Sequence, residues 1–361
     1  MSENENTVVE KKGCFSRLVE SFQGVFLGLG FIAASVGLLY WGEGYILKDL
    51  KAIKEGQKVA VELNADKINP ANEGKLAVFT GDIVVHDTIT DPIFKTAPMK
   101  AWRISRDVDY YQWKETRRTD DDGNTQYTYH TTWVSEPINS RAFKDTSSRQ
   151  NPIYLGNVYK SHTTYPKNVN FGAFVLSEDK IKGLSSGEEA IAINPKEIVN
   201  KPSGKEIGFI TYRSSDTFLT YSMKAGTGDQ LGDCRIRLRY ENPPAKATIL
   251  AVQKGNSLVN FTSSEGHSIS FSEPAILTKA QVFEKLDSRH KIMKWVLRGS
   301  GFVMMYLGVL MLLAPIEVFS DVIPFLGIIV GFGLKLLALI IAILGSAAVI
   351  VIGMTGARLP F

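Results

Sequence analysis

Residues 25–41 read Val-Phe-Leu-Gly-Leu-Gly-Phe-Ile-Ala-Ala-Ser-Val-Gly-Leu-Leu-Tyr-Trp, without a single charge. A helix rises about 1.5 Å per residue, so about 20 apolar residues cross a hydrocarbon core. Two further apolar runs lie near the other end, Val296–Leu313 and Leu334–Met354, each with one basic residue near its start. Between Glu43 and Trp295 no apolar run approaches that length. The chain therefore reads as a multi-pass α-helical membrane protein. A large β-rich (α+β) extracytoplasmic domain sits between its first and second spans.

The boundaries follow from these runs. Residues 1–23 form a cytoplasmic tail, 24–42 the first span and 43–295 the domain. Residues 296–361 form a C-terminal membrane region with spans at 296–314 and 334–355. The stretch Pro315–Gly333 is broken by Glu317, Asp321 and Pro324, so 316–333 reads as an interfacial or re-entrant helix rather than a further crossing. An odd number of crossings puts Phe361 on the opposite side from Met1. The basic residues Lys11, Lys12 and Arg17 ahead of the first run resemble a signal n-region. The run is long, however, and ends in Tyr40-Trp41 with no small-x-small cleavage site, so it reads as an uncleaved anchor with the tail inside. Lysines at 48, 51 and 54 follow the span, but large domains largely escape the positive-inside rule.

A net charge of +4 over 361 residues gives no argument for nucleic acid. Cys14 and Cys234 fall on opposite sides of the first span and cannot pair, so the domain rests on its core alone. The sequon Asn260-Phe261-Thr262 is usable only if the domain is lumenal in a eukaryote.

Along the domain, Ile46, Leu47, Leu50 and Ile53 continue the first span as a stalk helix. Ala77–Val85 reads as a strand with a turn or bulge at Gly81. Tyr110–Arg118 and Thr125–Val134 form a hairpin about Asp121-Asp122-Gly123-Asn124. Ile207–Tyr212 and Cys234–Tyr240 are further strands, and Gly255-Asn256 turns a second hairpin. Ser186–Ile193 is a helix candidate, and Lys279–Arg289 leads into the second span.

Chemistry-bearing patterns are sparse. Gly183-Leu184-Ser185-Ser186-Gly187 matches G-x-S-x-G, yet a nucleophile elbow needs an apolar strand before it, and Ser177–Lys182 is polar. Glu188 and Glu189 stand three residues after the two serines, the capping-box spacing. The five histidines show no zinc spacing, and Asp120–Asn124 lacks an EF-hand's distal glutamate; no catalytic, metal or cofactor residue is assigned. Gly28-Leu-Gly30 imitates a dinucleotide fingerprint inside a span, without the preceding strand. Gly24, Gly28, Gly327 and Gly331 read instead as small surfaces for helix approach, serving either self-association or internal packing. Arg298 and Lys335 read as snorkelling residues with no acidic partner in any span. Tyr110, Trp113, Tyr127, Tyr129 and Trp133 are the candidate partner surface, with half of such a hairpin's aromatics expected in the core.

Several of these residues carry a resemblance. Ser16-Arg17-Leu18 and Phe22-Gln23-Gly24-Val25 lead into a span that ends in Trp41-Gly-Glu43-Gly. Asn72-Glu73-Gly74-Lys75-Leu76, Tyr110-Tyr-Gln112-Trp113-Lys-Glu115, Tyr127-Thr-Tyr129, Trp133 and Asn151-Pro152 follow. Gly232-Asp233-Cys-Arg235-Ile-Arg237 and Pro-Phe-Leu-Gly at 324–327 complete the series. In order and spacing the chain resembles the LUMA, or transmembrane protein 43, family. The resemblance implies a multi-pass protein of the endoplasmic reticulum and inner nuclear membrane, or of a bacterial inner membrane with a periplasmic domain. It implies a homo-oligomer among membrane lipids. In eukaryotes it also implies association with nuclear-envelope proteins such as emerin and lamins. The family continues into a fourth span, whereas this sequence stops at Arg358-Leu-Pro-Phe361. The reading that follows is a non-enzymatic membrane scaffold; the rival is a membrane-anchored hydrolase acting on lipid or envelope substrates.

Overall fold

A computed structural model describes residues 7–10, 14–94, 97–120, 124–152, 159–185, 187–191, 219–221, 228–320 and 326–356. The chain divides into two compact units. One comprises Met1–Glu10, Glu62–Val259 and Phe271–Leu277; the other comprises Lys11–Val61, Asn260–Ser270 and Thr278–Phe361.

The first unit is β-rich. Its core is a sheet circuit: Leu76–Val85 pairs with Lys246–Lys254 on one side and Val169–Phe171 on the other. The ring closes through Phe174–Val175 and Ser257–Val259. Closure leaves these strands without an open edge between them. The interior is packed by Phe79, Phe171, Phe174 and Trp102, all essentially buried. Trp102 Nε1–H donates to the carbonyls of Leu184 (2.6 Å) and Ile181 (3.1 Å), tying the short helix α2 (Glu178–Lys182) to the barrel wall. Gly81 lies within the strand rather than at a turn. A Cβ there would come 2.7 Å from Ala65 Cβ, and at Gly172 (φ +56°) 2.3 Å from the Ala65 carbonyl oxygen, so two glycines let that backbone approach.

A second sheet is built on the long strand Arg103–Thr119. It pairs with Thr125–Val134 as expected, the turn residues 121–123 lying outside the described residues, and with Cys234–Glu241 on its other side. Gly255 (φ +58°) turns the other expected hairpin, Lys246–Lys254 to Ser257–Val259. Ile104, Arg106, Val108, Tyr110 and Gln112 point inward, as a period of two requires. Arg106 and Asp91, both nearly inaccessible, form a buried pair (2.6 and 2.8 Å). That pair is further satisfied by the Lys160 carbonyl and the Phe94 N–H.

Two expectations are corrected, and a third cannot be compared. The segment after Gly187 is a strand, Glu188–Ile191, paired with Cys234–Glu241, not a helix over Ser186–Ile193. Its Glu188 carboxylate reaches Arg103 and Arg239 of the neighbouring strands, ion pairs that the sheet position provides. Ile207–Tyr212 lies outside the described residues. The N-terminal segment is not wholly a free tail: Thr7–Glu10 forms the edge strand against Thr125–Thr128, because Thr-Val-Val is β-branched and an edge was open.

The second unit is helical. Helix α1 (Cys14–Val59, 46 residues) is roughly 70 Å long, α3 (Lys279–Ser320, 42 residues) roughly 63 Å and α4 (Leu326–Gly356, 31 residues) roughly 46 Å. Residues 316–320 finish α3 and residues 326–333 begin α4, so among the described residues of 316–333 there is no separate interfacial helix. Pro315 does not break α3. Among the described residues, three helices are long and apolar enough to cross a membrane, within Phe22–Val59, Lys279–Phe319 and Val330–Gly356.

Helices α1 and α3 run antiparallel. On α1 the contact seam repeats at alternating steps of four and three from Gly28 through Ile32, Ser35, Leu39, Gly42 and Ile46 to Asp49 and Ile53. That is the spacing of a coiled-coil stripe. Its partners on α3 descend in number: Gly308 against Gly28, Gly301 against Ser35 and Leu39, Leu297 against Gly42, His290 against Asp49. Lys279 closes the series by donating to the Ala60 carbonyl. Helix α4 runs back along α3, with Gly345 at Met305 and Gly353 at Glu43, and is therefore parallel to α1.

Candidate functional site

The aromatic hairpin does not present one surface. Tyr110 points inward, 2 % exposed, and donates its hydroxyl to the Tyr159 carbonyl; burial pushes that hydroxyl up to about 12. Tyr129 belongs to the opposite face, in register with Glu115, yet is 1 % exposed. The segment after Phe143 folds over it. Phe143 packs at 6.0 Å, the Arg149 guanidinium lies 4.4 Å above the ring, and the hydroxyl accepts the Asp145 N–H at 3.0 Å. Tyr110 and Tyr129 are therefore core residues and are unavailable to a partner.

Trp113, Tyr127 and Trp133 remain half-buried on one face. Asn151 clamps the Trp113 backbone, accepting its N–H (2.7 Å) and donating to its carbonyl (2.9 Å). Trp133 packs tilted against Tyr111 (5.3 Å), donates Nε1–H to Asp229 (3.0 Å) and lies under Arg235 (4.0 Å). Tyr127 and Lys144 both reach Glu10 of the edge strand, at 3.3 and 2.9 Å. Alternation in sequence could not reveal which ring a distant loop would cover.

The four glycines also part company. A Cβ on Gly28 would stand 2.7 Å from the Gly308 carbonyl oxygen and 2.9 Å from Met311 Cβ, so Gly28 is consumed by packing within the chain. Gly331 faces the end of the Glu317 side chain (2.8 Å), and Glu317 in turn approaches Lys335 (3.7 Å). Gly24 meets nothing within 4 Å. Gly327 lies in the first turn of α4.

Beyond the apolar part of α1 the helical unit gathers polar side chains that sequence reading left apart. Glu43, 2 % exposed, receives both Nε–H (2.7 Å) and a terminal N–H (2.9 Å) of Arg298. The expectation that Arg298 snorkels without an acidic partner is thus corrected: Glu43 begins immediately after the span and packs back against α3. One turn and a half further on, Asp49 holds two histidines, His290 Nδ1 at 2.7 Å and His267 Nε2 at 3.2 Å. His267 comes from the hairpin Phe261–Ile269, which is fastened to α1 a second time where Ser264 donates to Glu55 and Lys51 pairs with Glu265 (2.6 Å). Tyr45 abuts His267 edge-on (5.0 Å) and stacks on Trp41 (5.4 Å). A cavity of about 400 Å³ opens here, between α1, the hairpin and the end of α4.

Ser185 lines a different cavity, of about 520 Å³, with prolines, alanines and Lys246 and, among the described residues, no histidine or acid. The order around it is helix, turn, strand, the reverse of a nucleophile elbow, so neither the elbow nor a helix cap at Ser185 is formed. Cys234 is buried, and burial pushes its thiol up to about 12. No cluster among the described residues has a metal-binding arrangement.

Fold and site together define an integral membrane protein with a β-rich domain carried between its first and last apolar helices. The sequence profile described as Transmembrane protein 43 matches residues 110–355, more than half the chain, and the chain belongs to that family. It is 27 % identical over 350 residues to Transmembrane protein 43 of Pongo abelii, covering 91 % of this chain and 83 % of the relative. The Mus musculus protein of the same name is 26 % identical with the same coverage. A homolog from Drosophila melanogaster is 23 % identical over 287 residues, covering 75 % of this chain and 71 % of its own. No solved structure matches the chain.

Proposed function

We propose that this protein is a non-enzymatic, multi-pass membrane scaffold. The N-terminal tail lies in the cytoplasm, and the β-rich unit lies on the opposite face, where it binds partners and further copies of the chain. The observation that carries this reading is the continuous α1–α3 seam from Gly28 to Ala60, which extends well past the roughly 30 Å of a hydrocarbon core. The β-rich unit is spliced between those two helices at Val61 and Thr278, so it is tethered twice by a stem braced along its length. Such tethering raises the effective concentration for lateral contacts.

The edge strand Thr7–Glu10 competes with this topology, since a tail across the bilayer cannot pair with the domain. Magnitude decides. Burying the side chains of Val25–Trp41 in an apolar medium contributes on the order of tens of kcal/mol, at roughly 1.5–3 kcal/mol for each large one. Each backbone hydrogen bond of a four-residue edge strand contributes only about 0.5–1.5 kcal/mol net. In a bilayer the span prevails and the strand leaves the sheet.

Crosslinking in native membranes, followed by identification of the captured chains, tests the scaffold role. Adducts with copies of the protein or other membrane proteins through the face of Trp113 and Trp133 are expected. A chain that stays monomeric and uncrosslinked at every reagent length would exclude it.

A further inference from the structure

We propose that the cavity between α1, the hairpin Phe261–Ile269 and the end of α4 binds the headgroup of a zwitterionic phospholipid. The inference rests on α1 crossing the bilayer and not on the scaffold role. Tyr40 and Trp41, both about half exposed, close the apolar run where interfacial aromatics belong. Lys48 stands two helical turns further, about 10 Å along the axis. This interval brackets the headgroup layer, because headgroups add roughly 5–8 Å to each side of the hydrocarbon core.

The cavity, about 400 Å³, falls in the range of small-molecule sites, roughly 300–1,000 Å³. Its room comes from missing side chains. Gly44 meets nothing within 4 Å, and Gly353 and Gly356 let α4 close against Glu43 and Tyr40.

Its charges are matched to a zwitterion. Lys48 supplies an exposed ammonium that enters none of the ion pairs among the described residues, and it suits a phosphate. Glu265 supplies a carboxylate whose pairing with Lys51 leaves it 40 % exposed. Beside it the Trp41–Tyr45 stack offers ring faces to an ammonium. His267, which also lines the cavity, is held by Asp49. One cation and one anion in one cavity favour a headgroup carrying phosphate and amine together over one with a net negative charge. The mouth opens beside interfacial rings, so acyl chains have lipid to lie in.

The test uses the full-length protein, delipidated in detergent and then offered dioleoyl phosphatidylethanolamine or dioleoyl phosphatidylglycerol, with retention read by native mass spectrometry. One phosphatidylethanolamine should be held per chain at energies that strip phosphatidylglycerol. Lys48→Ala should lower its retention about tenfold. Gly44→Leu, whose side chain enters open space without a backbone clash, should abolish it. Circular dichroism and elution volume establish that each variant is folded, and Lys48→Ala, an exposed change, decides alone if Gly44→Leu is not. Equal or preferred retention of phosphatidylglycerol, or unchanged retention in Lys48→Ala, overturns the proposal. Soluble phosphoethanolamine binding as an adduct while the lipid does not would assign the site to a free phosphoamine and also overturn it.

Discussion

Glu43 and Arg298 meet end-on through two hydrogen bonds, 2.7 and 2.9 Å, at the level where α1, α3 and α4 converge. Neither residue's partner is near it in sequence. The pair fixes the relative height of α1 and α3 just where the apolar run ends, and Met354 Sδ of α4 also lies near Arg298 (3.8 Å).

Removing one member should strand the other, so Glu43→Gln or Arg298→Met should each destabilise the helical unit by about 3–5 kcal/mol. The double variant should recover a large part of that loss. Thermal unfolding in detergent, arranged as a double-mutant cycle, checks it; additive losses would show that the pair is not coupled.

Gly28→Leu must force α1 away from Gly308 and Met311, so a lower melting temperature of the helical unit is expected. Gly24→Leu meets open space and should melt like the parent, with any change confined to oligomer size. Parallel melting and light-scattering measurements separate the two. Unaltered melting of Gly28→Leu would contradict the close approach of the two backbones.

Tyr129→Ala should cost about 3–5 kcal/mol, the loss typical of a buried aromatic. Trp113→Ala should leave the fold intact, because the ring is only half-buried while Asn151 holds the backbone. Its effect should fall on crosslinking yield. Urea titration alongside crosslinking distinguishes them, and equal stability losses would place Trp113 in the core as well.

Cys234 carries a pH dependence of defined sign. Its folded thiol titrates near 12 against an ordinary value of 9.0. Below pH about 8 both states keep the proton. Between about 9 and 12 the unfolded chain loses it and the folded chain does not, so stability falls as pH rises. Cys234→Val should flatten the decline between pH about 8 and about 9.5, where the unfolded forms of Tyr110 and Tyr129, with an ordinary value of 10.0, are still mostly protonated and contribute less than the cysteine. Chemical denaturation at the two pH values measures this. A slope unchanged by the substitution would refute it.

Topology can be read by engineered disulfides. Val9→Cys and Gln126→Cys occupy paired positions of the edge strand and its neighbour. In detergent they should oxidise to a crosslink. In sealed membranes they should not, because α1 holds them on opposite faces. A crosslink formed in intact membranes would place the tail and the β-rich unit on one side.

Much of this architecture was legible from residue order. The apolar runs, the stalk beyond Trp41, the hairpin about residues 121–124 and the turn at Gly255 all rest on local rules of period, length and turn chemistry, which need no knowledge of neighbours. The four-and-three seam from Gly28 to Ile53 was present too, but an apolar run conceals it, since every face looks alike until a partner is known. What tertiary structure alone decided were the relations over long separations. It placed Arg298 on Glu43, two histidines on Asp49, and the cover over Tyr129, and it left Gly28 buried but Gly24 open. Local propensity fixes which side chains share a face. Which faces are then covered depends on segments lying from 16 residues away at Tyr129 to 255 at Glu43, and only packing brings those together.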